Sequence, residues 1–387
     1  MFRGIMKIRA IHTYEAGPLG SQKFDFKDDW SGEIASNILF SGPNGCGKSS
    51  VLRAVALLWN AFGHWLHTRK TLPKNNAERE WLQHWGGVAL VLEDLPFGGP
   101  SLPSFSGPSL VLIFGIQEFV NQQQQQYPDH AFVGECIART GKPGAPARKL
   151  LWPKDAPWLD DWTKERQKMI VSSAKIKSPN VIFLDAEERR WITPRRGLGE
   201  IKTENLQQRW LTSYRVSEQW EGQLEASLLA MKSADLQRFE DLIRDMNAFL
   251  SGKEILADVK LGENRLWVKL KNGTGATHGL DELSAGEHQV LIQLYLINRW
   301  LEKGGIVLID LLPAGGFTAF FPVALADAEA AIAGAEGGYH EQHAIRIAMH
   351  DPADRRMRMV ADGIGVFARL RHQFVCRRNV LTGDGIV

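Results

Sequence analysis

Residues 41–50 read SGPNGCGKSS, and this stretch constrains the fold more than any other part of the chain. The apolar run NILF precedes it, and VLRAVALLWNAF follows it with apolar residues at helical spacing. Its closely spaced glycines and proline exclude a continuous strand or helix across the stretch. The sequence therefore predicts a strand, a tight loop and a helix in that order, as in an α/β fold.

The eight residues 42–49 fit the pattern G-x-x-x-x-G-K-[ST] of a phosphate-binding loop, or P-loop. Glycines let backbone N–H groups turn toward phosphate oxygens, and the following helix adds the positive end of its dipole. Lys48 is expected to reach the β and γ phosphates, and Ser49 to bind Mg²⁺. A chance glycine turn is the alternative, which the flanking patterns disfavour. The predicted nucleotide-binding residues of the loop are Gly42, Asn44, Gly45, Cys46, Gly47, Lys48, Ser49 and Ser50.

A second motif, LSAGE at 283–287, stands at the predicted start of another helix. Ser284 and the backbone of Gly286 are expected to present donors to a γ-phosphate held on a second copy of the chain. The alternative is a capping box, with Ser284 as the N-cap and Glu287 as its partner. The two interpretations are compatible.

The strand GIVLID at 305–310 ends in an aspartate. Because α/β sheets place ligands at the carboxyl ends of their strands, Asp310 is expected to hold Mg²⁺ through water, next to Ser49. A rival carboxylate, Asp185, ends the strand VIFLD and is followed closely by Glu187 and Glu188. With Asp185 at the metal, the chain would be a simpler P-loop ATPase.

These motifs, in this order, resemble those of AAA-type ATP-binding proteins of the ABC ATPase class, in the RecF-like, SMC-like and OLD-like branch. The segments MKIRAI, GPNGCGKSSVLRAV, VIFLDAEERRW and LSAGEHQVLIQLYLINRW carry the resemblance, over about residues 6–310. LSAGE is similar to the signature LSGGE of that class, with Ala285 in place of a glycine. No sustained heptad pattern predicts a long coiled-coil arm.

The resemblance implies a head that binds Mg²⁺-ATP between two subunits, closes as a homodimer on ATP and opens after hydrolysis. Such heads act in DNA repair or in defence against phage, with DNA or a nuclease effector as partner. Gln117, at the end of LVLIFGIQ, would be the loop glutamine that contacts Mg²⁺ and the attacking water; an ordinary surface glutamine is the alternative. No N-K-x-D guanine motif occurs, so ATP is preferred to GTP.

The chain departs from this pattern after Asp310. Leu311 stands where the resemblance implies the glutamate that polarises the attacking water. A binding module that senses ATP but hydrolyses it poorly is therefore the second hypothesis. His350, in IRIAMHDP, is the candidate for the switch histidine of the class.

The composition also changes here, because residues 304–387 contain neither Lys nor Trp. We hypothesise a frameshift or fusion after Asp310; a divergent native C-terminal lobe is the alternative.

The predicted fold class is therefore α/β, a P-loop NTPase with an ABC-ATPase-like head over 1–310. The head is expected to have a mostly parallel central sheet, an antiparallel lobe inserted at 87–180 and a helical lobe with the signature at 200–285. Residues 311–387 are a C-terminal segment that departs from the pattern of the class. Three local expectations complete the prediction: residues 141–162 are not helical, 203–250 are mostly helical, and 256–273 form a hairpin around 262–264.

Lys and Arg total 46 against 44 acidic residues, so a DNA contact would need a local basic patch. The densest basic group surrounds Trp191 and could bind nucleic acid; a solvated face or an intramolecular ion-pair patch is the alternative. The group comprises Arg189, Arg190, Arg195 and Arg196. Cys46, Cys136 and Cys376 are far apart and odd in number, as expected for reduced thiols. Because no apolar stretch is long enough for a membrane span, we expect a cytoplasmic protein.

Overall fold

The computed structural model describes residues 5–28, 30–96, 109–138, 147–172, 176–186, 205–214, 223–250, 252–258, 265–271, 275–310, 317–321 and 358–361. Within these ranges the chain is a mixed α/β protein with two six-stranded sheets, one three-stranded sheet and seven α-helices. The strands are β1 (Lys7–Tyr14), β2 (Gln22–Asp25), β3 (Ile38–Ser41), β4 (Gly87–Glu93), β5 (Leu110–Ile116), β6 (Ala131–Ile137), β7 (Arg148–Leu151), β8 (Val181–Leu184), β9 (Leu211–Ser213), β10 (Lys253–Ile255), β11 (Trp267–Leu270), β12 (Thr277–Gly279), β13 (Ile306–Ile309), β14 (Phe317–Phe321) and β15 (Arg358–Ala361). The helices are α1 (Lys48–Thr68), α2 (Ala77–Leu82), α3 (Gln117–Gln126), α4 (Trp158–Val171), α5 (Gln223–Ala234), α6 (Leu236–Phe249) and α7 (Ala285–Trp300).

The first sheet has the order β2-β1-β4-β5-β6-β7, and its pairs are antiparallel except for β5 with β6. β4 and β5 are buried on both faces, which explains their nearly continuous apolar sequences. β1 pairs with β4 along its whole length, from Lys7 opposite Glu93 to Tyr14 opposite Gly87. The strands of the lobe predicted at 87–180 therefore share a sheet with the first strands of the chain.

The second sheet has the order β15-β3-β14-β13-β8-β9. β13, β8 and β9 pair in parallel, whereas β14 is antiparallel to both β3 and β13, and β15 is antiparallel to β3. The expectation of a mostly parallel sheet is wrong, because the two strands that follow residue 310 run against their neighbours. Since β14 opposes both β3 and β13, those two strands point in the same direction.

Helix α1 lies between the two six-stranded sheets and packs on strands of both. Thirteen of its 21 residues are buried, as expected for a helix that is apolar on most sides. Its Trp59 stacks on Trp210, with ring centroids 4.5 Å apart. Each indole N–H of this pair donates to the backbone carbonyl of the other residue, at 2.8 and 2.9 Å. These contacts fix α1 against the start of β9.

A second core contains α5, α6 and α7 together with the antiparallel sheet β10-β11-β12. Buried Asn180 joins it to the second sheet, since its side-chain amide donates to the carbonyls of Arg209 and Trp300, both at 2.8 Å. The C-terminal end of α7 therefore lies beside the amino end of β8. Strand β11 lies within the hairpin predicted at 256–273, but its partner β10 (Lys253–Ile255) lies before that segment, so the first hairpin strand comes earlier in the chain than predicted. Residues 262–264 lie outside the described ranges.

Other local expectations need correction. Helix α4 begins at Trp158, inside the segment predicted to be non-helical, because the last breaker, Pro157, comes just before the first turn, where proline is tolerated. The segment 203–250 contains a 3-10 turn at 206–209 and strand β9 before its helices begin. Gln117 starts a helix that includes the glutamine run. No helix in the described ranges is both long and apolar enough to cross a bilayer.

Candidate functional site

The predicted phosphate loop connects β3 to α1 and turns through two glycines in the left-handed region, Gly45 at φ 81° and Gly47 at φ 98°. Other residues adopt this conformation only with strain. A Cβ on Gly47 would also lie 2.6 Å from Cγ of buried Leu19, in the short turn that follows β1. Glycine at 47 is therefore required both by the backbone conformation and by the packing of the N-terminal turn.

The side chain of Lys48 curls back over the loop and is only 9% exposed. Its Nζ donates to the carbonyls of Gly42 at 2.8 Å and Pro43 at 3.0 Å, and it lies 3.8 Å from Sγ of Cys46. These contacts hold a positive charge against the loop backbone, at the position where the sequence predicts phosphate binding.

The N-terminus of α1 has no side-chain cap, and its first turn has no acidic residue. The first N–H groups of a helix have no acceptor within the helix, and its dipole favours an anion at this end. Asn44, Gly45 and Ser49 are exposed there, while Cys46 and Ser50 are half-buried. An uncapped helix end beside a buried ammonium group suits a phosphate ligand.

Asp310 comes directly after β13, at the carboxyl end of the second sheet, and is 4% exposed. Its N–H donates to the carbonyl of Leu184 at 2.8 Å, continuing the parallel register in which Ile309 is paired with Leu184. Asp185 follows Leu184, so the two aspartates stand side by side on adjacent strands, about 5 Å apart. The two rival metal carboxylates of the sequence prediction are therefore neighbours.

The P-loop and Asp310 lie at the same edge of this sheet. β3 and β13 point in the same direction with β14 between them, so their carboxyl ends are about 10 Å apart, two strand spacings. Mg²⁺ commonly takes one or two carboxylates together with water and phosphate oxygens. Ser49 is exposed and Asp310 is buried at this edge, and both carry oxygen atoms of the kind that Mg²⁺ binds.

Asp185 is paired with a cation of the chain itself. Nη2 of Arg53, on α1, lies 3.0 Å from Oδ2 of Asp185. Sequence reasoning missed this partner, although a signal was present: Arg53 is the one charged residue in the apolar run 51–62.

The signature residues form a complete capping box at the start of α7. Oγ of Ser284 accepts from the N–H of Glu287 at 3.3 Å, and the Glu287 carboxylate accepts from the N–H of Ser284 at 2.8 Å. Nζ of Lys253 adds an ion pair to Glu287 at 2.8 Å. Burial alone would raise the pKa of the Glu287 carboxyl, but the hydrogen bonds from Lys253 and Ser284 outweigh it and lower that pKa. Ser284 and Gly286 remain exposed.

Gln117 follows the carboxyl end of β5. Because β1 and β5 both run antiparallel to β4, this end of the first sheet is also the end where the turn after β1 contacts Gly47. Its amide N–H donates to Oδ1 of Asn121 at 2.7 Å, and its amide oxygen accepts from Sγ–H of Cys136 at 3.0 Å. These local contacts hold the side chain, and its role at a metal stays a prediction.

Several predicted residues lie outside the described ranges: Leu311, His350, Glu187, Glu188, Arg189, Arg190, Trp191, Arg195, Arg196 and Cys376. The structure does bring the P-loop, Asp310 and Asp185 to one sheet edge. In the comparisons with known proteins, no family model matches the chain and no curated protein matches it. The functional inference therefore depends on the geometry of this edge.

Proposed function

We propose that the chain is a P-loop ATPase head of the ABC class that binds Mg²⁺-ATP in the loop at 42–49. The observation that supports this most directly is the uncapped N-terminus of α1, with the Lys48 ammonium against it and Asp310 at the same sheet edge. The phosphates of the nucleotide and the metal would then share one site at the carboxyl ends of β3 and β13, supplied with ATP from the cytosol.

Each residue has a separate task in this proposal. Backbone N–H groups of the loop and of the first turn of α1 bind phosphate oxygens, and Lys48 exchanges its bonds to the loop carbonyls for the β and γ phosphates. Ser49 and Asp310 would hold Mg²⁺, Asp310 through water. The metal would neutralise charge that develops on the transferred phosphoryl group.

The proposal includes a homodimer in which Ser284 and Gly286 of a second copy close on the γ-phosphate. As an N-cap, the Ser284 hydroxyl accepts a hydrogen bond, so its own proton can still be donated to a phosphate oxygen. The exposure of Ser284 and Gly286 supports this arrangement. Closure would be coupled to DNA or to a protein effector in repair or defence.

A second candidate function is an ATP-dependent sensor that binds and dimerises but hydrolyses slowly. Two observations favour it: Leu311 follows Asp310, and the neighbouring carboxylate of Asp185 is paired with Arg53. The Arg53 guanidinium occupies an oxygen of this carboxylate, which is then less available to orient an attacking water. The chain would then use ATP as a switch of its assembly state.

Binding of a fluorescent ATP analogue to Lys48→Ala tests the proposal. The loss of a charge-assisted hydrogen bond, about 1.5–3 kcal/mol, predicts affinity lower by about 10- to 100-fold. Lys168→Ala, which removes an exposed lysine paired with Glu165 on α4, is the matched control and should bind as wild type does. Equal affinity of Lys48→Ala and wild type would exclude this loop as the nucleotide site.

ATP turnover and sedimentation with ATP separate the two candidate functions. An ATPase head turns over and dimerises, whereas a sensor only dimerises. Asp310→Ala should abolish Mg²⁺-dependent hydrolysis if any is present. Loss of hydrolysis with Asp185→Ala but not with Asp310→Ala would instead assign the metal to Asp185 and favour the simpler P-loop enzyme.

A further inference from the structure

We infer that Arg53 and Asp185 form a positioning pair that sets the distance between Ser49 and Asp310, an inference that rests on the proposed function. Ser49 and Asp310 come from different elements, 261 positions apart by residue number (310 − 49). A metal bound by both needs α1 and the edge of the second sheet to be held in one relative position. The Arg53–Asp185 contact joins those two elements next to the predicted metal ligands.

On the helix side, Arg53 lies four residues after Ser49, so the two side chains share a face of α1, about 6 Å apart along its axis. The Arg53 guanidinium reaches Asp185 at 3.0 Å, across 132 positions of sequence. This face of α1 therefore looks toward the carboxyl end of β8. Ser49 lies on the same face, one turn nearer the phosphate loop.

On the sheet side, Asp185 is tied to the position of Asp310 by the backbone. Asp310 donates its N–H to the carbonyl of Leu184, the residue just before Asp185. A shift of Asp185 relative to α1 would therefore move Asp310 with it. Ser49 on α1 is therefore connected to Asp310 through Arg53, Asp185 and the end of β8.

The fold itself has little need of this ion pair. The Arg53 side chain is 43% exposed, and ion pairs with such exposure contribute little to stability because water screens them. Helix α1 is held by apolar packing on both sheets and by the Trp59–Trp210 contacts. The effect of the pair is therefore expected in metal binding, where groups that orient the ligands change affinity by about 10- to 100-fold when removed.

The test is a Mg²⁺ titration of fluorescent ATP-analogue binding by wild type, Arg53→Gln, Asp185→Asn and the double variant. Binding in EDTA should be the same for all four proteins. The Mg²⁺ concentration that gives half of the maximal increase in analogue binding should rise about 10-fold in each single variant. The double variant should be no worse than either single, because both act through one contact. Arg53→Lys, which keeps the charge, should recover part of the loss.

Arg244→Gln is the matched control, since Arg244 lies 2.7 Å from Asp241 on an exposed face of α6. It should leave the Mg²⁺ titration unchanged, and melting temperatures should show that all variants fold. The inference is overturned if the single variants titrate like wild type. It is also overturned if their effects add in the double variant, or if Asp185→Asn alone is impaired, as for a direct metal ligand.

Absence of nucleotide binding by wild type would be a different result. It would refute the proposed function and, with it, the positioning role of Arg53 and Asp185. Wild-type binding with unchanged Mg²⁺ dependence in the variants would refute the positioning pair alone.

Discussion

The two helices that begin at the predicted nucleotide motifs start in opposite ways. α1 starts after Gly47 in the left-handed conformation, with no side-chain cap and no acid in its first turn. α7 starts with a complete capping box in which Glu287 places a carboxylate on the helix end, itself paired with Lys253. The N-terminus of α1 is therefore available to an anionic ligand, whereas the N-terminus of α7 is already capped by the carboxylate of Glu287.

The difference shows that a helix dipole alone does not mark a ligand site. At α7 the donors that a phosphate could use are engaged in part by Ser284 and Glu287. At α1 the backbone is shaped by glycines, and the Lys48 ammonium donates to the loop carbonyls. We therefore expect α1 to bind nucleotide in the isolated chain, and α7 to contribute only when a second copy is present.

The largest expected effect is that of alanine at Gly47. Left-handed strain and overlap with Leu19 should together lower the free energy of unfolding by about 2–4 kcal/mol and weaken nucleotide binding. Gly45→Ala has strain but no overlapping atom, so it should cost about 1–2 kcal/mol. Gly286→Ala, in α7 with open space around it, should be neutral or stabilising. Urea unfolding of the three variants checks this order, and equal effects would contradict it.

Removing one serine hydroxyl at the start of each helix should affect the free energy of unfolding at α7 and nucleotide binding at α1. Ser284→Ala deletes the N-cap of α7 and should lower the free energy of unfolding by about 1 kcal/mol, without changing the ATP affinity of the isolated chain. Ser49→Ala should leave stability unchanged and weaken Mg²⁺-dependent binding. Thermal unfolding and nucleotide titration measure the two quantities. Loss of stability with Ser49→Ala but not with Ser284→Ala would contradict the expected difference between the two helix starts.

The smallest expected effect is a pH dependence at α7. Because the folded-state pKa of Glu287 is lowered, its carboxylate stabilises the fold above the usual pKa of a glutamate, and this contribution is lost as pH falls through the lowered value. Glu287→Gln should be less stable than wild type by about 0.5 kcal/mol at pH 7. The difference should disappear as pH falls through that lowered pKa. Urea unfolding across this range is the measurement, and a difference that grows on acidification would be inconsistent with the capping role.

Sequence patterns predicted the elements whose residues have a clear period or clear boundaries. α1, α7, β8 and β13 were expected close to their observed positions, because each apolar run is bounded by glycine, proline or polar residues. Helix α3 was missed, since glutamine favours helices without giving an apolar period, and only Phe119, Val120 and Gln123 are buried on it. Strand direction in the second sheet depends on pairing between distant segments, which a local pattern does not encode.

The sequence predicted the individual residues of the candidate site but not which of them are in contact. The residue types and spacing of 42–49 were enough to propose a phosphate loop. They could not show that Asp185 and Asp310 are neighbours, because the parallel register of β8 and β13 joins residues 125 positions apart by number (310 − 185). Arg53 was overlooked for the same reason, since its partner is 132 positions away.

The position of α1 between two sheets has a consequence for synthesis on the ribosome. The helix that begins at the phosphate loop packs on Trp210, 151 positions beyond Trp59, so it cannot be fully enclosed until that residue has emerged. At about 5–20 residues per second, the side that packs on Trp210 stays uncovered for roughly 8–30 s, and the side that packs on β13 stays uncovered for longer. During that interval a nascent chain would present Val51, Leu52 and Phe62 to chaperones, and the loop at 42–49 would be among the last parts of the molecule to mature.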